Sequence, residues 1–137
     1  MRLLTRLLEP KATAHAHCDL PCGVYDPAQA RIEAESVKAI IQKYHDSSDP
    51  AFQTRALIIK EQRSELVKHH LWVLWTDYFK PPHFEKYPQL NQLFNEATKL
   101  AGGGAGGTKS STDVAAADQL LAKIEEISKI FWETKQG

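Results

Sequence analysis

The residues with distinctive chemistry gather near one end of the chain. The stretch "AHAHCDLPCGVY", residues 14 to 25, holds His15 and His17 together with Cys18 and Cys22, the only two cysteines among 137 residues. A disulfide between cysteines four positions apart would close a very small loop and stabilise little, and a single such bridge does not staple a fold. The thiols are therefore incidental, redox-active or metal ligands. Pro21 and Gly23 favour a sharply turned path, and the Leu20–Pro21 bond is one that can be cis. A turn there brings Cys18 and Cys22 onto one ion, and two thiolates with one imidazole suit zinc, copper or nickel.

A structural zinc site wants four protein ligands. Only His17, Cys18 and Cys22 lie in easy reach, with His15 an awkward fourth. If the chain were cut between Ala16 and His17, His17 would carry a free amine beside its imidazole. That amine, the deprotonated backbone nitrogen of Cys18 and the two thiolates would make a planar set of two nitrogens and two sulfurs. Square-planar coordination of that kind favours nickel(II) or copper(II) over zinc. The competing reading is a turn that contains a cysteine pair by chance, which spacing alone leaves open.

The elements that must position these residues are helical. Asp26 reads as an N-cap with Pro27 at the first helical position, followed by an apolar stripe of Ile32, Val37, Ile40, Ile41 and Tyr44. "DSSDP" ends that helix, and Asp49-Pro50 starts a long second one. Phe52, Ile59, Leu66, Val67, Leu71 and Leu74 are among its apolar positions, and it runs to about Phe79, where Lys80-Pro81-Pro82 stops it. A third helix is predicted from near Pro88, carrying Leu90, Leu93, Phe94, Ala97 and Leu100. "GGGAGGTKSST" reads as a flexible connection. Thr112 or Asp113 caps a fourth helix, which buries Leu120, Leu121, Ile124, Ile127, Ile130 and Phe131. No segment alternates as a strand does. The expected fold is all-α: an antiparallel up-and-down four-helix bundle preceded by an irregular N-terminal metal-binding hook. Trp72, Trp75 and Trp132 are expected in the core or at a subunit interface. His69 and His70, adjacent in mid-helix, are a poor metal pair, and Lys38, Lys43, Lys123 and Lys129 read as solvated.

Bulk properties narrow the classes further. The chain is 42% hydrophobic and 25% charged with a formal net charge of zero, so it shows no global preference for nucleic acid or an anionic membrane. No apolar run reaches the roughly 18 residues of a spanning helix. In "MRLLTRLLEP", Arg6 interrupts the apolar stretch before it attains signal-peptide length, so a cytoplasmic location is expected.

"HCDLPCGVY" resembles, position for position, the nickel hook H-C-x-x-P-C-G-x-Y of nickel-containing superoxide dismutases. The likeness extends to a short leader before the hook and four helices after it. It implies that residues 1–16 are a propeptide removed by a maturation protease, that 17–25 form the hook and that 26–137 form the bundle. His17 would then supply amine and imidazole, Cys18 an amide nitrogen and a thiolate, and Cys22 the second thiolate, to one nickel ion per subunit. The implied activity is conversion of two superoxide ions to oxygen and hydrogen peroxide by Ni(II)/Ni(III) cycling. The alternative is a non-catalytic nickel- or copper-binding helical bundle. Tyr25 resembles the family tyrosine that guards the open axial face, and Glu33 and Arg63 the pair that holds the histidine. Asp19, Tyr78 and Lys80 fall at the mouth of the site. The resemblance also implies a homohexamer. Removal of the leader takes away Arg2, Arg6 and Lys11 against Glu9, which leaves the remainder with two more acidic than basic side chains. An anionic substrate would then depend on local lysines such as Lys80 for steering.

Overall fold

The computed structural model describes residues 22–137, all-helical with no strand among them. Helix α1 spans Ala28–Asp46 and α2 spans Pro50–Val73, continuing into a single wide π turn over Leu74–Tyr78. A short α3 follows at Pro81–Lys86, then α4 at Leu90–Leu100 and α5 at Val114–Gln136. The predicted caps operate: Asp26, Asp49 and Asp113 each accept a hydrogen bond through Oδ1 from the backbone N–H two residues on, at 2.8, 3.0 and 2.9 Å. Each satisfies one of the donors that a helix start leaves unpaired. Helix α1 packs on α2 and α5, and α4 packs on α5 and α2. Sequential long helices are thus spatial neighbours around a ring, the up-and-down bundle expected.

The core contains Val67, Leu71, Leu74, Phe79, Leu90, Phe94, Leu120, Ile124, Ile127 and Phe131. Two differences from the apolar stripes have a common cause. Ile32 and Phe52, expected inside, are 53% and 41% exposed, whereas Ala30, Ala34 and Ala56 are buried. Small residues let α1 and α2 approach closely, and the larger ones flank that line of contact. The buried face of α2 also runs through Lys60 and Ser64, which are polar.

Those two residues explain the glycine-rich connection. Lys60 Nζ donates to the carbonyl oxygens of Thr108, Lys109 and Ser111 at 2.6, 3.0 and 2.7 Å. Ser64 Oγ pairs with the buried Thr108 hydroxyl at 2.9 Å. Gly106 takes a positive φ of 76°, and a Cβ on Gly107 would lie 2.3 Å from the Gly102 oxygen. Instead of trailing loosely, the segment folds back on α4, with Thr108 N–H donating to Leu100 O at 2.7 Å. Burial pulls the Lys60 pKa below its ordinary value, with Glu61 opposing, so the three carbonyls are what make the buried ammonium tolerable.

The second helix ends differently from the simple stop expected at Lys80-Pro81-Pro82. Phe79 N–H reaches back five residues to Leu74 O at 3.0 Å, and the widened turn carries Phe79 into the core at 3% exposure. Pro81 forces Lys80 into extended backbone (φ −117°, ψ 162°) and then opens α3, a helix the sequence pattern does not announce.

Replacing Lys60 by Met keeps the side-chain volume but orphans three carbonyls. It should lower unfolding free energy by about 3 kcal/mol, since each unsatisfied buried group costs on the order of 1 kcal/mol or more. Urea melts would show a lower midpoint, and an unchanged midpoint would mean that the loop does not depend on the clamp.

Candidate metal centre

Of the predicted metal ligands, Cys22 lies among the described residues; His17 and Cys18 lie outside them, as do Asp19 and the Leu20–Pro21 bond. Cys22 is exposed and directly precedes Gly23, whose φ of +70° is the left-handed region that glycine occupies without strain. That turn curls the backbone around the sulfur. Val24 N–H donates to Cys22 Sγ at 3.4 Å, and Sγ lies 3.9 Å from Val24 O. An N–H aimed at sulfur disperses thiolate charge and fixes its lone-pair direction, the outer support a sulfur ligand needs. A thiolate supported in this way suits a soft or borderline ion. No group of three or more His, Cys, Asp or Glu side chains gathers elsewhere among the described residues. His69 and His70 meet edge-on at 5.4 Å.

Tyr25, three residues beyond the thiol, is half-buried and packs on the main core. Its ring lies 5.6 Å from that of Tyr78 at an interplanar angle of 58°. Two of the predicted site residues, more than fifty positions apart, are thereby in contact. Tyr78 is itself enclosed: Phe131 at 4.4 Å, Phe79 at 4.9 Å and His83 stacked at 5.9 Å surround its ring. Lys135 Nζ stands 5.0 Å from the ring centroid, and the Tyr78 hydroxyl is 2.7 Å from Thr134 Oγ1.

Lys80 is exposed and anchors its ammonium on Asp77 O at 2.9 Å, with its own N–H donating to His83 Nδ1 at 3.1 Å. That bond leaves His83 with its proton on Nε2 whenever the ring is neutral.

Glu33 and Arg63 also meet. One guanidinium nitrogen spans both carboxylate oxygens at 3.2 and 3.1 Å, joining α1 to α2. Glu33 is the more buried partner, with 17% of its side chain exposed against 37% for Arg63.

The sequence pattern places Phe131 in the core but marks none of His83, Thr134 and Lys135. His83 sits in a helix the pattern does not show. Thr134 and Lys135 belong to a helix end that reads as ordinary solvated surface, and no local signal distinguishes them.

The chain is similar to a known set of proteins. Residues 12–135 match the family model for nickel-containing superoxide dismutase. The proteins described as "Superoxide dismutase [Ni]" from Streptomyces coelicolor and Streptomyces seoulensis are each 61% identical over 135 residues, covering 98% of this chain and the whole of those proteins. A solved native nickel superoxide dismutase superposes with a TM-score of 0.83 at 62% identity, covering 88% of this chain and all of that one. With the family model spanning nearly the full length and the hook turn in place at Cys22 and Gly23, the chain belongs to the nickel-containing superoxide dismutase family.

Proposed function

We propose that the chain converts two superoxide ions and two protons to oxygen and hydrogen peroxide at a nickel centre held by His17, Cys18 and Cys22. Family membership and whole-length identity to two proteins described as nickel superoxide dismutases carry the activity and the metal. The ligand set is supported by the one described ligand, Cys22, with its sulfur in a left-handed turn and a backbone donor on it. When bound, nickel supplies one-electron chemistry, passing between the 2+ and 3+ states.

The remaining work falls to the protein. Cys18 and Cys22 contribute anionic sulfur, whose electron density favours the higher oxidation state. His17 contributes an amine only after removal of residues 1–16, because a peptide nitrogen in an uncut chain is no amine. Glu33, held by Arg63, is the carboxylate positioned to accept from the His17 imidazole and fix its orientation. Tyr25, braced against Tyr78, narrows access so that a small anion enters and larger ones do not. Lys80 offers positive charge at the entrance, a local aid to an anion that net charge does not provide.

The assembly reading is a homohexamer. Phe52, Leu57, Ile58, Trp72 and Trp132 are large apolar side chains with 38–56% of their surface exposed, which supports burial against other subunits. No described helix is long and apolar enough to cross a membrane; a cytoplasmic location accords with an N-terminal stretch that lacks a signal-length apolar run.

Mass spectrometry of the native protein should find His17 at the N-terminus and one nickel per chain. Retaining Ala16 should abolish both the dismutase reaction and the rhombic nickel(III) EPR signal. Cys18→Ser and Cys22→Ser should each lose metal and activity; an uncut chain that binds nickel tightly without consuming superoxide would instead favour a carrier.

Glu33→Gln separates positioning from stability. A partly exposed ion pair is worth about 1 kcal/mol or less, so the melting midpoint should barely move. The rate should fall about tenfold, with a changed axial-nitrogen splitting in the EPR signal. A rate loss matched by lost stability would reduce the pair to a strut.

A further inference from the structure

Four rings fix the plane of Tyr78, but they leave its hydroxyl hydrogen free to rotate about the C–O bond. Thr134 removes that freedom. Its Oγ1 lies 2.7 Å from the Tyr78 oxygen and 2.6 Å from the carbonyl oxygen of Phe131. A carbonyl can only accept, so the single Thr134 proton goes to Phe131. The Tyr78–Thr134 contact then has one possible donor, and the Tyr78 proton is committed to Thr134.

We propose that Thr134, in the last turn of α5, is a positioning residue for the dismutase reaction: it holds Tyr78 as a hydrogen-bond acceptor toward Tyr25 and the site entrance. An oxygen that presents only lone pairs does not bind an anion. It orients a water at the entrance, which gives one hydrogen to Tyr78 and keeps the other for incoming superoxide. The inference rests on the reading of Tyr25 and Tyr78 as entrance residues. It assigns them unequal parts: Tyr25 packs beside the water and narrows the entrance, and Tyr78 aims the water by accepting from it. The polarity originates in a backbone carbonyl of the bundle and is relayed through two hydroxyls.

The test uses mature nickel-loaded protein carrying Thr134→Val, Thr134→Ser, Tyr78→Phe and the Thr134→Val/Tyr78→Phe pair. In the reduced wild-type protein and in Thr134→Ser, the Tyr78 phenolic proton should give a slowly exchanging proton NMR resonance with an Overhauser effect to the residue 134 side chain. Thr134→Val should lose it. By pulse radiolysis, kcat/KM should fall about three- to tenfold in Thr134→Val, the scale of one hydrogen bond, and Thr134→Ser should restore it. Adding Thr134→Val to Tyr78→Phe should change nothing further, because the hydroxyl it acts on is gone. The nickel(III) EPR signal should be the same throughout. A full rate in Tyr78→Phe would overturn the reading of Tyr78 as an entrance residue, and this inference with it. A slowed Tyr78→Phe accompanied by an unaffected Thr134→Val, by a further loss when Thr134→Val is added to Tyr78→Phe, or by a Tyr78 proton lacking contact with residue 134 would overturn the role of Thr134 alone.

Discussion

The site depends on a packing constraint at Tyr78 and Phe79. Phe79 is buried against Phe94, Phe84 and Phe131, while its neighbour Tyr78 faces Tyr25 at the base of the hook. Adjacent residues of a regular α-helix are about 100° apart around the axis, and a proline pair follows at once. The wide turn over Leu74–Tyr78 satisfies both demands, since it adds a residue before the prolines and rotates the two rings into their separate environments. Such turns recur where a helix must re-aim side chains for function.

From that node the rest of the architecture can be followed outward. Helix α5 supplies Phe131 beneath the Tyr78 ring and Thr134 against its hydroxyl. Tyr87, just past α3, ties to Glu133 at 2.8 Å, and Trp75 stacks on Phe94 while donating to Asn91 at 2.9 Å. Near the middle of α2, the Lys60 ammonium gathers three carbonyls of the glycine-rich segment. That clamp fixes where α5 begins, and the aromatic node fixes how its end meets the hook. A polar device and an apolar one thus hold opposite ends of the same helix.

Sequence patterning located the helices well wherever local chemistry dominates. The three aspartate starts and the proline stop are short-range events, decided by groups within a few residues. The pattern was less informative for α2, whose buried face passes through Lys60 and Ser64. Periodicity counts apolar residues, and it has no means of recognising a lysine buried because three carbonyls across the bundle receive it. For the same reason a run of glycines suggested flexibility, although its partner lay 48 residues away.

The proposed hook is legible from sequence because its elements are local: two thiols and an imidazole fall within six positions. The Glu33–Arg63 pair came from likeness to a family, not from any spacing rule, and folding of the bundle joins it and also brings Tyr25 against Tyr78, which the sequence named separately. What tertiary structure alone decided is the surroundings of Tyr78. His83, Thr134 and Lys135 converge on it from a short unannounced helix and from the last turn of the chain. Nothing local distinguishes a threonine near a helix end from any other; its importance arises from the hydroxyl that packing places 2.7 Å away.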